Sequence, residues 1–177
     1  MKRELFIHFS LCLVFFVLIS VFKHYLNLSY WPFWLGGVVG TFLPDIDHLV
    51  YVFFLSPQEL TSQRVNFLLE RREVKRTVEL LYETRNERKN LVFHSIVFQL
   101  IFLALTFFIM TSSTSIFAKG LVLSFALHLS VDQMIDLVEI KNLDNWKRYL
   151  PIDLNLRQSQ IFASVGTVLV LIMGLAM

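Results

Sequence analysis

The chain has 177 residues, of which 55% are hydrophobic, and its formal net charge is only +2. A soluble domain of this length is rarely so apolar, and the charged side chains are concentrated in positions 56–90 and 139–157. This distribution indicates a multi-pass membrane protein. No basic block is interleaved with aromatic residues, so no nucleic-acid partner is expected, and the single cysteine, Cys12, excludes an intrachain disulfide.

Long apolar stretches predict an all-α fold, a multi-pass integral membrane helical bundle that forms one domain over residues 1–177. At about 20 residues each, five stretches are long enough to span the bilayer. Lys2 and Arg3 precede the first stretch, but no small-x-small cleavage site follows it, so an uncleaved first span is predicted. The predicted spans are residues 5–22, 30–55, 91–110, 117–138 and 160–177.

Two features of the second predicted span affect its geometry. Pro44 interrupts it, which predicts a kinked or re-entrant piece after the first part of the span. Gly36 and Gly40 form a G-x-x-x-G pair just before the break, and such a pair lets another helix approach closely. Ordinary glycine use in a membrane helix explains this pair equally well.

Residues 56–90 are predicted to form a cytoplasmic helical segment between the second and third spans. Ser56 is the predicted N-cap, with Pro57 at the first helical position and Glu59 at the third. The helix is predicted to continue to the region of Asn86, and a partial apolar stripe makes it amphipathic. Its eight basic and six acidic residues are typical of a solvated helix near the lipid headgroups, with headgroup binding by its arginines as a further hypothesis.

Lysine and arginine residues predict the orientation of the bundle. With the N-terminus in the cytoplasm, 14 of them lie on the cytoplasmic side, and only Lys23 and Lys119 lie outside. This bias follows the positive-inside rule, so we expect an inner-membrane protein with a cytoplasmic N-terminus. Trp146 and Tyr149 are predicted to mark the inner membrane interface.

Ionisable side chains within the apolar stretches are expensive in hydrocarbon unless they pair with each other or bind a metal. Under the predicted topology they fall in the cytoplasmic half of four spans, at a similar depth, which argues for one shared site. His128 and Asp132 are four positions apart and project from one helix face, and the break at Pro44 could turn Asp47 inward. The candidate metal ligands are His8, Asp45, Asp47, His48, His94, His128 and Asp132.

Imidazole nitrogens and carboxylate oxygens suit Zn²⁺, with manganese or iron as alternatives. The candidate ligands are more numerous than one tetrahedral ion needs, so one or two divalent ions are predicted. Asp45 or Asp47 could instead act as the general base of a hydrolytic reaction. His8, His94 and the His128–Asp132 pair also have purely structural interpretations, as interfacial, helix-start and interhelical groups.

Several of these residues lie in motifs that follow one another as in a known family. L-P-D-I-D-H at positions 43–48 resembles the L-P-D-[IL]-D-H signature of the YdjM-like family of membrane-bound metal-dependent hydrolases. His8 resembles the N-terminal histidine of that family, F-H-S at 93–95 is similar to its T-H-S element, and H-L-S-V-D at 128–132 matches a later H-x-x-x-D. The resemblance implies a metal-dependent hydrolase whose substrates are phosphate esters, including those of lipids.

One segment departs from the family pattern. H-R-G-x-T usually precedes H-S in the family, whereas this chain has K-N-L-V-F at positions 89–93. The missing histidine would remove a ligand, and the missing arginine would remove a phosphate clamp. Arg85, Arg88 and Lys89 are the candidate replacements for that arginine.

The sequence therefore favours a membrane-embedded metal-dependent hydrolase that acts near the cytoplasmic leaflet, with membrane lipids as partners and a phospholipid or another phosphate ester as substrate. The main alternative is a non-catalytic metal-binding membrane protein, namely a scaffold, a sensor or a transporter. A transport path should continue across the membrane, yet the outer half of the spans is almost free of ionisable residues, which disfavours transport.

Overall fold

The computed structural model describes residues 2–89, 91–147 and 149–177, and this part of the chain is helical and contains no strand. The all-α prediction is confirmed. The helices are α1 (Lys2–Phe22), α2 (Trp31–Phe42), α3 (Ile46–Val50), α4 (Leu60–Glu70), α5 (Val74–Glu83), α6 (Ile96–Ser112), α7 (Ile116–Glu139) and α8 (Leu156–Ala176).

Three of the predicted spans correspond to helical stretches that are long and apolar enough to cross a membrane. These stretches are Leu28–Leu55, Ile116–Glu139 and Leu156–Ala176. The two other predicted spans correspond to shorter apolar helices, Phe6–Phe22 within α1 and Ile96–Ser112, which is α6. Length and composition therefore give three candidate membrane spans among the described residues, and they do not confirm the count of five.

Helix α7 is the centre of the bundle, because α1, α2, α6 and α8 all pack against it. Residues 122–133 of α7 are all buried, as is Gly120, whereas the other helices bury only part of their surface. In the core between α1 and α2, the rings of Phe16 and Phe33 stack with their centroids 4.6 Å apart. Because α7 is enclosed on all sides, its polar residues must find partners within the protein.

The G-x-x-x-G pair of α2 lies against α7, where the two helices cross in backbone contact. A Cβ atom at Gly36 would lie 2.2 Å from the carbonyl oxygen of Phe117. From the opposite side, a Cβ atom at Gly120 would lie 2.2 Å from the carbonyl oxygen of Phe33. The prediction of close approach is confirmed, because no side chain larger than glycine fits between the two backbones.

The predicted break at Pro44 is also confirmed. Helix α2 ends at Phe42, and the chain continues through a tight turn in which Asp47 N–H bonds to the carbonyl of Pro44 at 3.1 Å. Proline cannot donate a backbone hydrogen bond, so it cannot continue the regular helix. The turn rotates α3 relative to α2, and Asp47 becomes buried, with only 1% of its surface exposed.

The single helix predicted for residues 56–86 is wrong, because the structure divides this segment into α4 and α5. Ser56 does not cap a helix start; its N–H bonds to Tyr51 O, at the end of a π-helical turn, Tyr51–Leu55, that follows α3. Helix α4 begins after Glu59 instead.

Helix α4 ends in a Schellman-type motif whose left-handed residue is Arg72, with φ of 58°. Arg72 N–H bonds to Leu69 O at 2.8 Å, and Glu73 N–H bonds to Leu68 O at 3.0 Å. Glycine usually occupies this position, so an arginine there gave no helix-stop signal in the sequence.

Residues 60–88, here called the cap, fold back onto the end of α3 as a helical hairpin. Val65 of the cap is fully buried in a small cluster with Tyr51, Val52 and Leu91. After α5, a short 3₁₀ turn, Arg85–Glu87, leads to Arg88. The cap therefore places its last arginines directly over the polar residues of α7.

We expect Gly120→Ala to destabilise the protein and Gly166→Ala, a matched change within α8, to be tolerated. The Cβ at 166 would meet only Gln99 Nε2, at 3.6 Å, and alanine favours a helix over glycine by about 0.5–1 kcal/mol. The Cβ at 120 would force α2 and α7 apart, for which overpacking penalties of about 1–3 kcal/mol are typical.

Thermal unfolding of both variants in detergent, followed by circular dichroism, measures this difference. A melting temperature for Gly120→Ala at or above that of Gly166→Ala would contradict the tight α2–α7 crossing.

Candidate metal centre

Four histidine and aspartate side chains converge beneath the cap from three places in the chain. His8 comes from α1, His94 from the loop that precedes α6, and His128 and Asp132 from α7. All four are at least 94% buried. The structure thus brings together residues that are distant in sequence, as the shared-depth argument predicts.

His8, His128 and Asp132, here called the triad, form a group that could hold a metal ion, with one ligand atom from each residue lying within 4.8 Å of the others. His8 Nε2 lies 3.0 Å from Asp132 Oδ1, and His128 Nε2 lies 3.2 Å from Asp132 Oδ2. The i, i+4 spacing on α7 places His128 and Asp132 on one face, which confirms the predicted geometry of this pair.

The chemistry of His128 fits a metal ligand. Its ring is buried, yet neither ring nitrogen has a hydrogen-bond partner among the described residues. Its Nε2 atom approaches the carboxylate oxygens of Asp132 and Asp45, at 3.2 and 3.6 Å, without hydrogen-bond geometry. Buried polar atoms almost always have a partner, so these nitrogens indicate a ligand. Imidazole nitrogen with carboxylate oxygen is a donor set that zinc and related divalent ions accept.

His94 is held between two carboxylates. Its Nε2 atom lies 3.0 Å from Asp132 Oδ2, and its Nδ1 atom lies 3.4 Å from Asp47 Oδ2. Asp47 also accepts the backbone N–H groups of Val92 at 3.1 Å, Phe93 at 2.6 Å and His94 at 3.3 Å. Asp47 therefore fixes the loop that carries His94, and the structure does not place it in the triad.

These hydrogen bonds also correct the predicted start of the third span at residue 91. The backbone N–H groups of residues 92–94 point to Asp47, so this segment is not helical, and α6 starts only at Ile96. Ser95 caps α6 by accepting the N–H of Phe98 at 3.3 Å.

Asp45 and His48 lie in the wall of a cavity of about 250 Å³ that opens beside the triad. The side chain of Asp45 is 47% exposed, and its Oδ1 atom lies 3.6 Å from His128 Nε2. His48 Nδ1 accepts a hydrogen bond from Arg88 Nε at 3.0 Å, which leaves the proton of the neutral ring on Nε2. This geometry favours a hydrogen-bond donor role for His48 over the predicted ligand role.

A sequence model of the YdjM inner membrane protein family matches residues 4–174. The chain belongs to this family. No curated protein and no solved structure shows significant similarity to it. The match extends over almost the whole chain, so its range includes the cap and α8 as well as the segments that carry the histidines.

Positive charge reaches the site from the end of the cap and not from positions 89–93. Asn90 lies outside the described residues, and Lys89 is exposed. Arg85 instead extends from the cap to the carboxylates of Asp132, at 3.2 Å, and Asp136, at 3.6 Å. Arg88 is 2% exposed, and burial lowers the pKa of its guanidinium to about 10, which still leaves it protonated at neutral pH.

Trp146 was expected at the membrane interface, but the structure buries it beside the site. Its indole Nε1 donates to Asp136 Oδ2 at 2.7 Å, its ring lies 5.4 Å from that of His94, and its carbonyl accepts the N–H of Ile96. The sequence contains one signal for Asp136, because it follows Asp132 at i, i+4 on the same face of α7. Nothing local predicts the role of Trp146, which depends on the path of the loop between α7 and α8. Tyr149, which was predicted to mark the same interface, is not buried in this way and is 52% exposed.

We expect Asp47→Ala to loosen the segment before α6, because three backbone N–H groups would lose their acceptor at a buried position. Each lost partner destabilises a structure by about 1–3 kcal/mol. Hydrogen–deuterium exchange at the amides of residues 92–94 should accelerate strongly in this variant. Asp45→Ala is the matched control, since Asp45 is half exposed, and unchanged protection of the same amides in Asp47→Ala would contradict the assignment.

Proposed function

We propose that this protein is a membrane-embedded metal-dependent hydrolase that acts near the cytoplasmic leaflet on a phosphate ester or a lipid-type substrate. The observation that carries the proposal is the triad, a buried group of two imidazoles and one carboxylate at the wall of a cavity large enough for a small headgroup. Membership of an inner membrane protein family is consistent with this location.

The triad residues would hold the ion, with His94 as the additional ligand in reach. Zn²⁺ suits this donor set best, and manganese or iron are the alternatives. His94 Nε2 and His128 Nε2 both lie near Asp132 Oδ2, so His94, His128 and Asp132 are the residues that would hold a second ion. A bound divalent ion supplies Lewis-acid charge and lowers the pKa of a coordinated water toward neutrality.

Asp45 is the better candidate for the general base of the two predicted aspartates. Its carboxylate is half exposed and lines the cavity, so an attacking water can reach it. Asp47 has its oxygens occupied by backbone N–H groups, and we propose that it positions His94. In the hydrolysis, the water oxygen bonds to the phosphoryl group and Asp45 takes the water proton. The ester bond breaks, and the proton held by Asp45 passes to the departing oxygen, so that an alcohol leaves and Asp45 is again a carboxylate.

The proposed orientation places the N-terminus and the cap in the cytoplasm, with α1 and α6 completing a bundle of five spans. The positive-inside bias of the lysines and arginines supports this arrangement. His8 then lies near the cytoplasmic end of α1, and the triad lies below the inner headgroups.

The first test is metal content. Detergent-purified protein should hold one or two divalent ions per chain, and Asp132→Asn should reduce the content by about 10-fold or more, because this carboxylate contacts all three buried histidines. His24→Asn is the matched control: His24 is exposed, and asparagine tolerates its φ of 58°. Elemental analysis measures both variants, and normal metal content in Asp132→Asn would reject the site.

The second test is activity. With added zinc or manganese, the protein should hydrolyse a member of a panel of phosphodiesters, phosphomonoesters and phospholipids, and Asp132→Asn should be slower by about 100-fold or more. A folded, metal-loaded protein inactive on the whole panel would favour the scaffold or sensor alternative. Ion uptake into liposomes that contain the protein would favour a transporter.

A further inference from the structure

Among the described residues, Arg88 is a buried charge without an ion-pair partner. Its hydrogen bonds go to His48 Nδ1, to Thr84 Oγ1 at 3.0 Å and to the carbonyl of Leu81, all of which are neutral groups. Among the described residues, no carboxylate lies within ion-pair distance of it, although its surface is only 2% exposed. Buried charges in proteins are normally paired, and breaking such a pair is strongly unfavourable. The lack of a carboxylate at Arg88 therefore calls for an anion from another source.

The geometry of Arg88 suits a phosphate better than a simple halide. A guanidinium has five N–H donors in a planar fork, and the hydrogen bonds described above use three of them. The remaining donors belong to a side chain that lines the cavity beside the triad. Arginine forks bind phosphate oxygens in pairs, which adds geometric specificity to the charge.

The opposite part of the cavity is apolar and continuous with the outer surface of the bundle. Phe9 of α1, Phe42 of α2 and Leu49 of α3 line it, and each is 41–50% exposed. The rings of Phe9 and Phe42 lie 5.4 Å apart, so they form a common edge of the cavity. Helices this apolar face acyl chains in a membrane, so the rim is the side that lipids contact.

We propose that this cavity binds the phosphate headgroup of a membrane lipid, with the phosphate at Arg88 beside the triad and the acyl chains against Phe9, Phe42 and Leu49. The proposal rests on the proposed function in that the same cavity holds the reaction, and it restricts the substrate to a lipid phosphate. A soluble phosphate ester would have the same charge, but it would gain nothing from an apolar rim.

Binding of three small molecules to the purified protein tests the proposal without turnover. The first is a dioctanoyl lipid whose phosphate ester is replaced by a non-hydrolysable phosphonate, the second is dioctanoylglycerol, which is neutral, and the third is glycerol phosphonate, which has no acyl chains. Isothermal titration calorimetry in detergent should show that the phosphonate lipid binds at least about 10-fold more tightly than either control. Equal binding of glycerol phosphonate or of dioctanoylglycerol would overturn the proposal.

Variants test which residues bind the phosphate and which contact the acyl chains. Arg88→Gln should weaken binding of the phosphonate lipid by about 10-fold or more, while Arg64→Gln, at an exposed arginine of the cap, should not change it. Phe42→Ala, at a half-exposed position, should weaken the lipid alone and leave glycerol phosphonate unaffected. If Arg88→Gln does not fold, the Phe42 variant and the comparison of ligands on the unmodified protein still decide the question.

The outcomes separate the two proposals. Tight binding of the phosphonate lipid by a protein that holds no ion and hydrolyses nothing would reject the hydrolase and keep the lipid site. Metal-dependent hydrolysis of a soluble ester, without preferential binding of the phosphonate lipid, would reject the lipid site and keep the hydrolase.

Discussion

Asp132 is a carboxylate buried among apolar helices, and the arrangement around it follows from the need to compensate that charge. His8, His94 and His128 approach its oxygens at 3.0–3.2 Å, and Arg85 approaches at 3.2 Å. These partners come from α1, from the loop before α6, from α7 itself and from the cap. A buried ion that lost them would be strongly destabilising, so each of these segments is held in place by the same group. The geometry of the candidate metal site and the stability of the bundle are therefore coupled.

The close crossing of α2 and α7 determines which residues can reach that carboxylate. With Gly36 against the backbone of α7 and Gly120 against the backbone of α2, the two helices lie directly together, and the turn at Pro44 falls beside His128. A wider crossing, with larger side chains between the helices, would move Asp45 away from the cavity. Glycines at one end of the bundle thus control the geometry of the candidate site at the other end, which is a relation that only the three-dimensional packing makes visible.

Much of this arrangement could be predicted from local sequence patterns. The features that could not be predicted depend on contacts with residues distant in the sequence. The i, i+4 pair of α7 and the break at Pro44 are local, since helix periodicity and the missing proline N–H determine them. The helix stop at Arg72 was missed because its left-handed residue is not glycine. The burial of Trp146 was missed because it depends on the path of the loop between α7 and α8. The unwound segment before α6 was missed because the carboxylate oxygens of Asp47 accept its N–H groups. Neither feature leaves a periodic signal in the sequence.

Positive charge reaches the site from the cap and not from the segment before α6. Residues 92–94 are committed to other contacts, because their N–H groups bond to Asp47 and Phe93 packs against Phe125 with ring centroids 5.6 Å apart. Arg85 and Arg88 line the cavity from the end of the hairpin, where the backbone already lies over the site. The cap is therefore part of the candidate site rather than a surface helix.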